Sequence, residues 1–476
     1  MRIPLEAALA RHPFAEEILH RLIQAGFEAV VVGGAVRDVL LAELRGQPCL
    51  VQDVDIATSA PPEVVHKLFA DRRVLTVGES FGVVVVVAAD GRQYEVATFR
   101  SEAGYSDGRR PDQVGWGSLE EDLGRRDFTV NGMAARPDGE LVDPVGGVAD
   151  LEAGLVRAIG QAELRFAEDH LRMLRAVRFA CQLGFALERE TAQAIRVQAA
   201  KITAISWERI RDELLRILAT PRAAQGLALL RELDLLPHIL PEVSKLQGVP
   251  QPEDYHPEGD VFTHTEAALA IADGIWDVPL LKLAVLFHDV GKPSALARSG
   301  GENMGGHCHI GAELTRAALT RLRLPRREGE HVVYLVREHM RVGRLPEMGL
   351  GKQVQLMAHA EQVGEPLDQP VARFPLFADL LRLAICDAEA SAHRAGAWLP
   401  LLARSVELLL HLRQIQGLRR ARELVTGDDL VALGEHPGPR LGQVLAQLHE
   451  RILAGQITTR EQALSEAARL LARERT

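Results

Sequence analysis

Apolar and polar positions follow different periods in the two parts of this chain. Up to about residue 150, short β-branched runs stand between glycine-rich turns. EAVVVGG, VDIAT, GVVVVVAA and RQYEVATFR predict strands, whereas AVRDVLLAEL and APPEVVHKLFA predict helices. From residue 151 onward, Leu and Ala recur with helical spacing. We therefore predict an α+β fold, with a small mixed sheet in an N-terminal α/β head followed by an all-α remainder.

Breaks in this pattern predict the domain boundaries. Residues 101–118 are rich in Gly, Ser, Asp and Arg and predict a mobile loop, and proline and glycine crowd residues 237–260. A chain of 476 residues has room for several domains at about 150 residues each. We predict a head at 1–155, a helical neck and body at 156–250, a second module at 251–398 and a helical tail at 399–476.

Composition narrows the class of protein. The chain is 47% hydrophobic and 25% charged, which is ordinary for a soluble globular protein. It has no signal peptide and no run near the ~18 apolar residues of a membrane helix, so we expect no membrane partner. Four scattered cysteines predict a reduced, cytoplasmic protein. The net charge of −10 argues against a nucleic-acid partner, but residues 155–225 are net basic and suit a phosphate-binding surface.

Two acids interrupt the apolar run QDVDIAT. Asp53 and Asp55 would share one face of a strand, where two carboxylates repel each other. Mg²⁺ prefers such oxygen ligands together with substrate phosphates. An isolated pair of this kind is more often a turn residue beside a solvated strand residue, so the metal hypothesis needs a second signal.

That second signal lies upstream, in GGAVRD. Gly33 and Gly34 join a strand to a helix and let the backbone approach a ligand closely. The N-terminus of the helix offers free N–H groups and a positive dipole end to a phosphate, and Arg37 adds a cation in its first turn. Together with Asp53 and Asp55, this turn predicts a site for a metal-bound nucleotide.

The segment FAEDHLRMLRAVRF carries a polar stripe at three-residue spacing, formed by Asp169, Arg172, Arg175 and Arg178. The stripe is either a solvated helix face or a surface that recognises a base. A carboxylate that accepts and a guanidinium that donates match the pairing edges of cytosine and adenine. Uracil and guanine present a carbonyl to the carboxylate instead, which costs ~1–3 kcal/mol when buried.

Seven blocks between residues 31 and 185 resemble the class II tRNA nucleotidyltransferase and poly(A) polymerase family. They are VVGGAVRDVLL, QDVDIAT, FGVVVV with YEVATFR, SDGRRPD, EDLGRRDFTVNGMA, DPVGGVADLEAGLVRAIG and FAEDHLRMLRAVRFACQLGF. The resemblance implies template-independent addition of CCA, or its terminal A, to tRNA 3′ ends from CTP and ATP, with Mg²⁺. The helical region beyond residue 185 fits the family more loosely.

The resemblance also implies roles for single residues. Asp53 and Asp55 would be catalytic and hold Mg²⁺. The nucleotide would be bound by residues of the glycine turn, of RRDFTVN and of the polar stripe: Gly33, Gly34, Arg37, Arg126, Asp127, Asn131, Asp169, Arg172, Arg175 and Arg178. Glu95 is a candidate for a third carboxylate at the metal site. The equal alternative is that Glu95 is a solvated residue of an edge strand.

A second group of chemistry-bearing residues lies in the 251–398 module. In FHDVGKP, His288 and Asp289 end an apolar helix, where adjacent buried polar groups are costly without a partner such as a divalent metal. This stretch resembles the HD phosphohydrolase superfamily over residues 255–395. The resemblance implies that His264, His288, Asp289 and Asp387 hold a divalent transition metal, with His309 and His339 extending the site to a second ion.

The sequence leaves several functions open. Within the nucleotidyltransferase family, full CCA addition, addition of A alone and poly(A) polymerisation compete. The blocks SDGRRPD and YEVATFR favour the tRNA enzymes. From a different class, a metal-dependent 2′,3′-cyclic phosphodiesterase or phosphatase would use the head only to bind RNA. A purely structural tRNA-binding protein is the third hypothesis, and it would require both sets of ligands to be relics.

Overall fold

The computed structural model describes residues 1–49, 51–75, 82–103, 113–251, 257, 259–361, 375–391, 396–412 and 424–473. The chain divides into two compact units, Met1–Ile239 and Leu240–Thr476. The first unit contains both the sheet and the helices that follow it, and the second unit is helical. The finer division into four domains stays a prediction.

The first 160 residues alternate strands and helices. The helices are α1 (Leu5–Leu9), α2 (Pro13–Gln24), α3 (Gly34–Arg45), α4 (Pro62–Leu68), α5 (Leu119–Gly124) and α6 (Gly147–Ala153). The strands are β1 (Ala29–Val32), β2 (Asp55–Thr58), β3 (Arg73–Leu75), β4 (Val83–Val87), β5 (Gln93–Thr98), β6 (Arg100–Ala103), β7 (Gln113–Trp116), β8 (Ala134–Ala135), β9 (Leu141–Val142) and β10 (Leu155–Val156). The strands and helices predicted from the apolar runs are confirmed.

Among the described residues, one mixed sheet has seven strands in the order β3-β4-β5-β2-β1-β8-β9. Strands β2 and β5 pair in parallel, and the other neighbours pair antiparallel. Apolar residues from one face of the sheet pack together with residues of α5. The buried members of this core are Val30, Val32, Ala57, Phe99, Leu119, Leu123 and Ala134.

Two expectations about the head differ from the structure. Asp53 precedes β2 rather than lying in it, because the pairing with β1 ends where Val32 meets Asp55 and the chain of β1 then turns at Gly33. The ends of the expected mobile loop, 101–118, form the β6–β7 hairpin, in which Arg100 pairs with Trp116. The block SDGRRPD lies outside the described residues.

The helical remainder of the first unit packs around α8. Its elements are α7 (Ala162–Glu168), α8 (Arg172–Leu183), β11 (Ala186–Leu187), α9 (Arg189–Gln198), α10 (Trp207–Leu218), α11 (Ala223–Glu232) and α12 (Leu236–Ile239). Helix α8 buries Met173, Leu174 and Val177 against its neighbours. This packing leaves the arginine-bearing face of α8 available to a cleft.

The second unit is built from helices, and a group of them surrounds the predicted metal ligands. The helices are α13 (Pro241–Ser244), α14 (Val261–Ile275), α15 (Pro279–Phe287), α16 (Lys292–Arg298), α17 (His307–Arg321), α18 (Arg326–Val342), α19 (Leu350–Glu361), α20 (Pro375–Ala390), α21 (Leu399–Leu412), α22 (Gly427–Ala432), α23 (Pro439–Leu453) and α24 (Arg460–Arg473). Helices α14, α15, α17, α18 and α20 pack together. Across the described residues, no helix is long and apolar enough to span a membrane.

Candidate nucleotide-binding cleft and metal centre

The glycine turn after β1 forms part of the wall of a cleft of about 920 Å³. Gly33 has φ +69°, and a Cβ at this position would lie 2.9 Å from Nη1 of Arg126. Glycine is therefore required both by the backbone conformation and by the close approach of the guanidinium. Gly34 begins α3, so the first N–H groups of this helix lie beside the cleft.

Three carboxylates lie together in the same cleft. Asp55 is the first residue of β2, Asp53 precedes it by two positions, and Glu95 lies alongside on β5. The cleft restricts solvent around the Asp55 carboxyl, and this desolvation, with repulsion from Glu95 and Asp53, raises its pKa to about 6 against the opposing effect of Arg126. Gathered carboxylate oxygens fit a hard divalent cation, which would relieve their mutual repulsion.

Arg126 reaches the cleft from the turn that follows α5. A capping box formed by Ser118 and Glu121 begins this short helix. The fully buried Asp122 then pairs with Arg125 at 2.6 Å and with Nη2 of Arg126 at 3.3 Å. Nε of Arg126 is buried without a hydrogen-bond partner among the described residues, so this guanidinium keeps unused donor capacity beside the glycine turn.

A buried chain of hydrogen bonds links α3 to α8. Arg37 donates to Oδ1 of Asn131 at 2.8 Å, and Asn131 donates to Oδ1 of Asp127 at 3.1 Å. Oδ2 of Asp127 accepts from Arg175, whose Nη2 lies 2.6 Å away. Arg37 is also paired with Asp38 at 2.7 Å and is only 4% exposed. All of these residues line the cleft, but Arg37 is held mainly by protein groups.

Asp169 does not belong to the helical stripe that its spacing predicts. It directly follows α7, and α8 begins only at Arg172, because Oδ1 of Asp169 accepts from the backbone N–H of Leu171 at 3.0 Å and holds the chain in a turn. Arg209 of α10 donates to both carboxylate oxygens, at 2.7 and 3.3 Å. Arg209 lies 40 positions downstream of Asp169 and was not predicted; its only signal in the sequence is its place in the basic 155–225 segment.

Arg172 is held in place by groups of the preceding helix and turn. Its Nη1 donates to the carbonyl oxygen of Arg165 at 3.0 Å and to the carboxylate of Glu168, and its Nη2 donates to the carbonyl oxygen of Arg125 at 3.3 Å. These bonds use three of the five guanidinium donors. Arg172 therefore lies on the wall of the cleft, next to Asp169, with its orientation set by the protein.

The last two arginines of α8 converge on one buried carboxylate. Glu213 is 3% exposed, and it pairs with Nε of Arg178 at 2.6 Å and lies 3.9 Å from Nη1 of Arg175. The Phe179 ring lies beneath both guanidinium groups, 4.1 Å from that of Arg178 and 5.4 Å from that of Arg175. Both arginines line the cleft, so Glu213 and Phe179 hold a basic wall in place.

The second unit brings the HD-type residues together. Nε2 of His264 lies 3.1 Å from Oδ1 of Asp387, and Nε2 of His288 lies 3.1 Å from Oδ2 of Asp289. His264, His288 and Asp387 place their ligand atoms within 4.8 Å of one another. Nε2 of His288 and Oδ2 of Asp289 are buried and make no well-aligned hydrogen bond among the described residues. This donor set fits a divalent transition metal.

Charge around Asp289 favours its ionised form. Burial alone would raise the pKa of this carboxyl, but His288 and Lys292 hold it well below its usual range. Nζ of Lys292 lies 2.6 Å from Oδ2 of Asp289. Burial lowers the pKa of His339 to about 4, assisted by the neighbouring His288. An ionised carboxylate beside a neutral imidazole is the state in which both groups can ligate a metal.

The prediction of His309 as an additional ligand needs correction. His309 is exposed on α17, whereas His307, the first residue of that helix, is buried and places its Nε2 3.3 Å from Nε2 of His339. The two histidines are two positions apart on a helix, so they point about 200° apart and only one of them can face the site. His307 was not predicted, although its neighbour in GGHCHIG was.

Family models match the parts of the chain that contain these two sites. The family model for the poly(A) polymerase head domain matches residues 29–157, and that for the RNA and SrmB-binding site of polymerase A matches 184–246. The HD domain model matches 261–368. A tRNA nucleotidyltransferase domain 2 model matches 406–468. The fold and the sites thus define a nucleotidyltransferase head joined to an HD module.

Three relatives establish the family. The A-adding tRNA nucleotidyltransferase of Deinococcus radiodurans is 38% identical, over 73% of this chain and 78% of that protein. The CCA-adding enzyme of Lactiplantibacillus plantarum is 48% identical over 46% of this chain and 52% of its own length. The crystal structure of the Bacillus stearothermophilus CCA-adding enzyme with CTP covers 100% of both chains at 30% identity and a TM-score of 0.66.

This chain therefore belongs to the class II tRNA nucleotidyltransferase and poly(A) polymerase family, and it carries an HD domain. Both kinds of domain use divalent metal ions. The alignments with the first curated relatives, such as the L. plantarum enzyme, span only about half of those proteins' length.

Asp127 generates a prediction about acid stability. Burial disfavours its ionised form, but Arg175 and the bond from Asn131 lower its pKa to about 2. A carboxylate with a lowered pKa stabilises the fold fully above pH ~4 and loses that contribution as pH falls toward 2. Between pH 5 and pH 3, we expect the parent to lose about 1 kcal/mol more unfolding free energy than Asp127→Asn, measured by urea unfolding.

Asp138→Asn is the control for this experiment, because Asp138 is an exposed carboxylate paired with Arg2. We expect it to keep the acid sensitivity of the parent. Equal acid sensitivity of the parent and Asp127→Asn would contradict the prediction.

Proposed function

We propose that this protein adds nucleotides to the 3′ end of tRNA from CTP and ATP, without a template and with Mg²⁺. The observation that carries the proposal is one cleft in which Asp53 and Asp55 face an arginine-bearing wall beside the glycine turn. The printed names of the relatives, CCA-adding enzyme and A-adding tRNA nucleotidyltransferase, support the choice of tRNA and of these nucleotides.

The chain's own residues suggest how the nucleotide is bound. The N–H groups at the start of α3 and the spare donors of Arg126 suit the triphosphate, because both present positive charge beside the glycine turn. Asp53 and Asp55 would hold Mg²⁺, which supplies charge neutralisation to the reacting phosphate when bound. We assign Asp127 and Asn131 a positioning role. Asn131 donates to Asp127, and the two side chains hold Arg37 and Arg175 in place beside the nucleotide.

Base selection is proposed to depend on Asp169 and Arg172. Oδ2 of Asp169 accepts one bond from Arg209 and so keeps a lone pair for the exocyclic amine of cytosine or adenine. Arg172 keeps donors for the ring nitrogen next to that amine. Arg209 acts as a positioning residue, because its two bonds fix the plane of the carboxylate.

The decisive experiment uses tRNA substrates that lack the last one or the last three nucleotides, each incubated with labelled CTP or ATP. Full CCA addition predicts that the tRNA lacking three nucleotides incorporates C. It also predicts that A is added to every tRNA that ends in CC, whether supplied in that form or extended by the enzyme. A-only addition predicts label from ATP on tRNA ending in CC and none from CTP, and poly(A) polymerisation predicts long A tails. Absence of any incorporation contradicts the proposed function.

Replacement of both acids tests the metal site. We expect Asp53→Asn with Asp55→Asn to lower incorporation by at least ~10³-fold, because the charge that would hold the cation at the reacting phosphate is lost. Folding is checked by circular dichroism, and Asp138→Asn, an exposed acid of the same unit, is the matched control. Incorporation near the parental rate in the double variant would show that these acids are not the catalytic pair.

Base selectivity gives a separate prediction. We expect Asp169→Ala, Arg172→Ala and Arg209→Ala each to reduce the preference for ATP over GTP by roughly tenfold, or ~1.4 kcal/mol. Each variant should still incorporate nucleotides. Single-nucleotide incorporation with all four triphosphates measures the ratio. Arg211→Ala is the control, because Arg211 lies on α10 like Arg209 but does not line the cleft. It should leave the ratio unchanged. Parental discrimination in the Asp169 and Arg172 variants would rule out the pairing scheme.

The HD module supports a second function, hydrolysis of a phosphomonoester or a 2′,3′-cyclic phosphate. The observation that favours it is the cluster of His264, His288 and Asp387, whose ligand atoms lie within 4.8 Å of one another. We expect metal-dependent hydrolysis of bis(p-nitrophenyl) phosphate or 2′,3′-cyclic AMP, and loss of this activity in His288→Ala with nucleotide addition intact. Hydrolysis that survives His288→Ala would exclude the site.

A reducing, cytoplasmic location agrees with four free cysteines.

A further inference from the structure

The HD-type centre has a second half that contains a thiol. His307, Cys308 and His339 place one ligand atom each within 4.8 Å of one another. Nε2 of His307 lies 3.3 Å from Nε2 of His339 and 3.6 Å from Sγ of Cys308. Oδ1 of Asp289 lies 3.4 Å from Nε2 of His307 and 3.9 Å from Nε2 of His339. Asp289 thus turns Oδ2 toward the first half of the centre and Oδ1 toward the second.

Backbone contacts fix the orientation of these imidazoles. Nδ1 of His307 lies 3.0 Å from the carbonyl oxygen of Met304, and Nδ1 of His339 lies 2.7 Å from that of Val336. A carbonyl oxygen can only accept, so each Nδ1 carries the proton and donates it. Each Nε2 therefore presents a lone pair to the space shared with Cys308, and this is the arrangement found around metal-bound histidines.

Close packing of the backbone brings α17 to this centre. A Cβ at Gly291 would lie 2.0 Å from the carbonyl oxygen of His307, so only glycine allows the first turn of α17 to approach so closely. Cys308 follows immediately and is half-buried rather than exposed. This packing thus fixes the backbone of Cys308 beside the centre.

The distances match those expected around a single ion. Zinc bonds of about 2.0–2.1 Å to nitrogen and about 2.3 Å to sulfur place neighbouring ligand atoms about 3.3–3.6 Å apart in a tetrahedral arrangement. The two separations measured from His307, to His339 and to Cys308, fall at the two ends of this range. Between His307 and His339, both Nε2 atoms present lone pairs without a proton between them, and these repel each other unless a cation intervenes.

We propose that Cys308 is a metal ligand, together with His307, His339 and Oδ1 of Asp289, and that this half of the centre takes a zinc-class transition metal. A thiolate is a soft ligand that favours Zn²⁺, Co²⁺ or Fe²⁺ over Mg²⁺ and Ca²⁺. Binding converts the thiol to a thiolate, and the proton released passes to solvent or buffer. The inference rests on the proposed metal-binding role of the HD module and assigns the chemistry of its second position.

Cys386 offers a matched comparison within the same unit. It is fully buried and directly precedes Asp387, yet its sulfur does not join either group of clustered ligand atoms in the described part of the chain. Each cysteine is thus adjacent in sequence to a proposed ligand. They differ in that only the sulfur of Cys308 lies among the clustered ligand atoms. A variant at Cys386 shows whether loss of any buried thiol near the centre disturbs metal binding.

Cobalt spectroscopy tests the assignment directly. The full-length protein, carrying Asp53→Asn and Asp55→Asn to remove the proposed head site, is stripped with chelator and titrated with Co²⁺. We expect a near-ultraviolet sulfur-to-cobalt charge-transfer band in the parent and in Cys386→Ser, and no such band in Cys308→Ser. Zinc affinity, measured by chelator competition, should fall at least about tenfold in Cys308→Ser, because loss of an outer-shell partner alone costs about 10- to 100-fold.

A second variant keeps the test decisive if Cys308→Ser folds poorly. Cys308→Asp supplies an oxygen ligand instead, and it should bind cobalt without the charge-transfer band and shift preference from Zn²⁺ toward Mn²⁺. A parent that binds cobalt through visible ligand-field bands but lacks the sulfur band would overturn the role of Cys308 and leave the HD metal proposal standing. A parent that binds no cobalt at all would overturn both.

Discussion

A buried chain of charge-assisted hydrogen bonds, from Arg37 through Asn131 and Asp127 to Arg175, ties the helix after the glycine turn to the helix after Asp169. The strand-bearing head and the helical neck thereby share one electrostatic network inside a single compact unit. Removal of Arg175 leaves the buried carboxylate of Asp127 without its ion-pair partner, and loss of one partner of a buried pair costs about 3–5 kcal/mol.

Charge is distributed differently in the two halves of the cleft. On the neck side, the acids have arginine partners: Asp169 has Arg209, and Glu213 has Arg178. On the head side, Asp53, Asp55 and Glu95 gather like charges, and desolvation together with this repulsion raises the pKa of Asp55 to about 6. A protein surface that leaves carboxylates this close is arranged for a cation, and the arginine wall opposite is arranged for the anionic ligand that accompanies it.

The same reasoning applies to the second unit with other ligands. There, buried imidazole nitrogens and two carboxylates converge, and backbone carbonyl oxygens accept from Nδ1 of His288 and His339, so that their Nε2 atoms face the centre. Nitrogen and sulfur donors in that centre suit transition metals, whereas the oxygen donors of the cleft suit Mg²⁺. The two proposed centres would therefore prefer different metals.

The order of apolar runs, the glycine turn and the helix that ends in His288 could be predicted from the sequence, because they depend on local periodicity and on residues adjacent in the chain. Asp53 outside its strand, Asp169 outside its helix, and His307 in place of His309 could not. Strand pairing, a side chain that bonds the backbone, and helix packing decided these. Arg209 reaches the cleft through Asp169, 40 positions away, and the proposed ligand Cys308 lies near His339, 31 positions away. Only the tertiary structure brings such distant residues together.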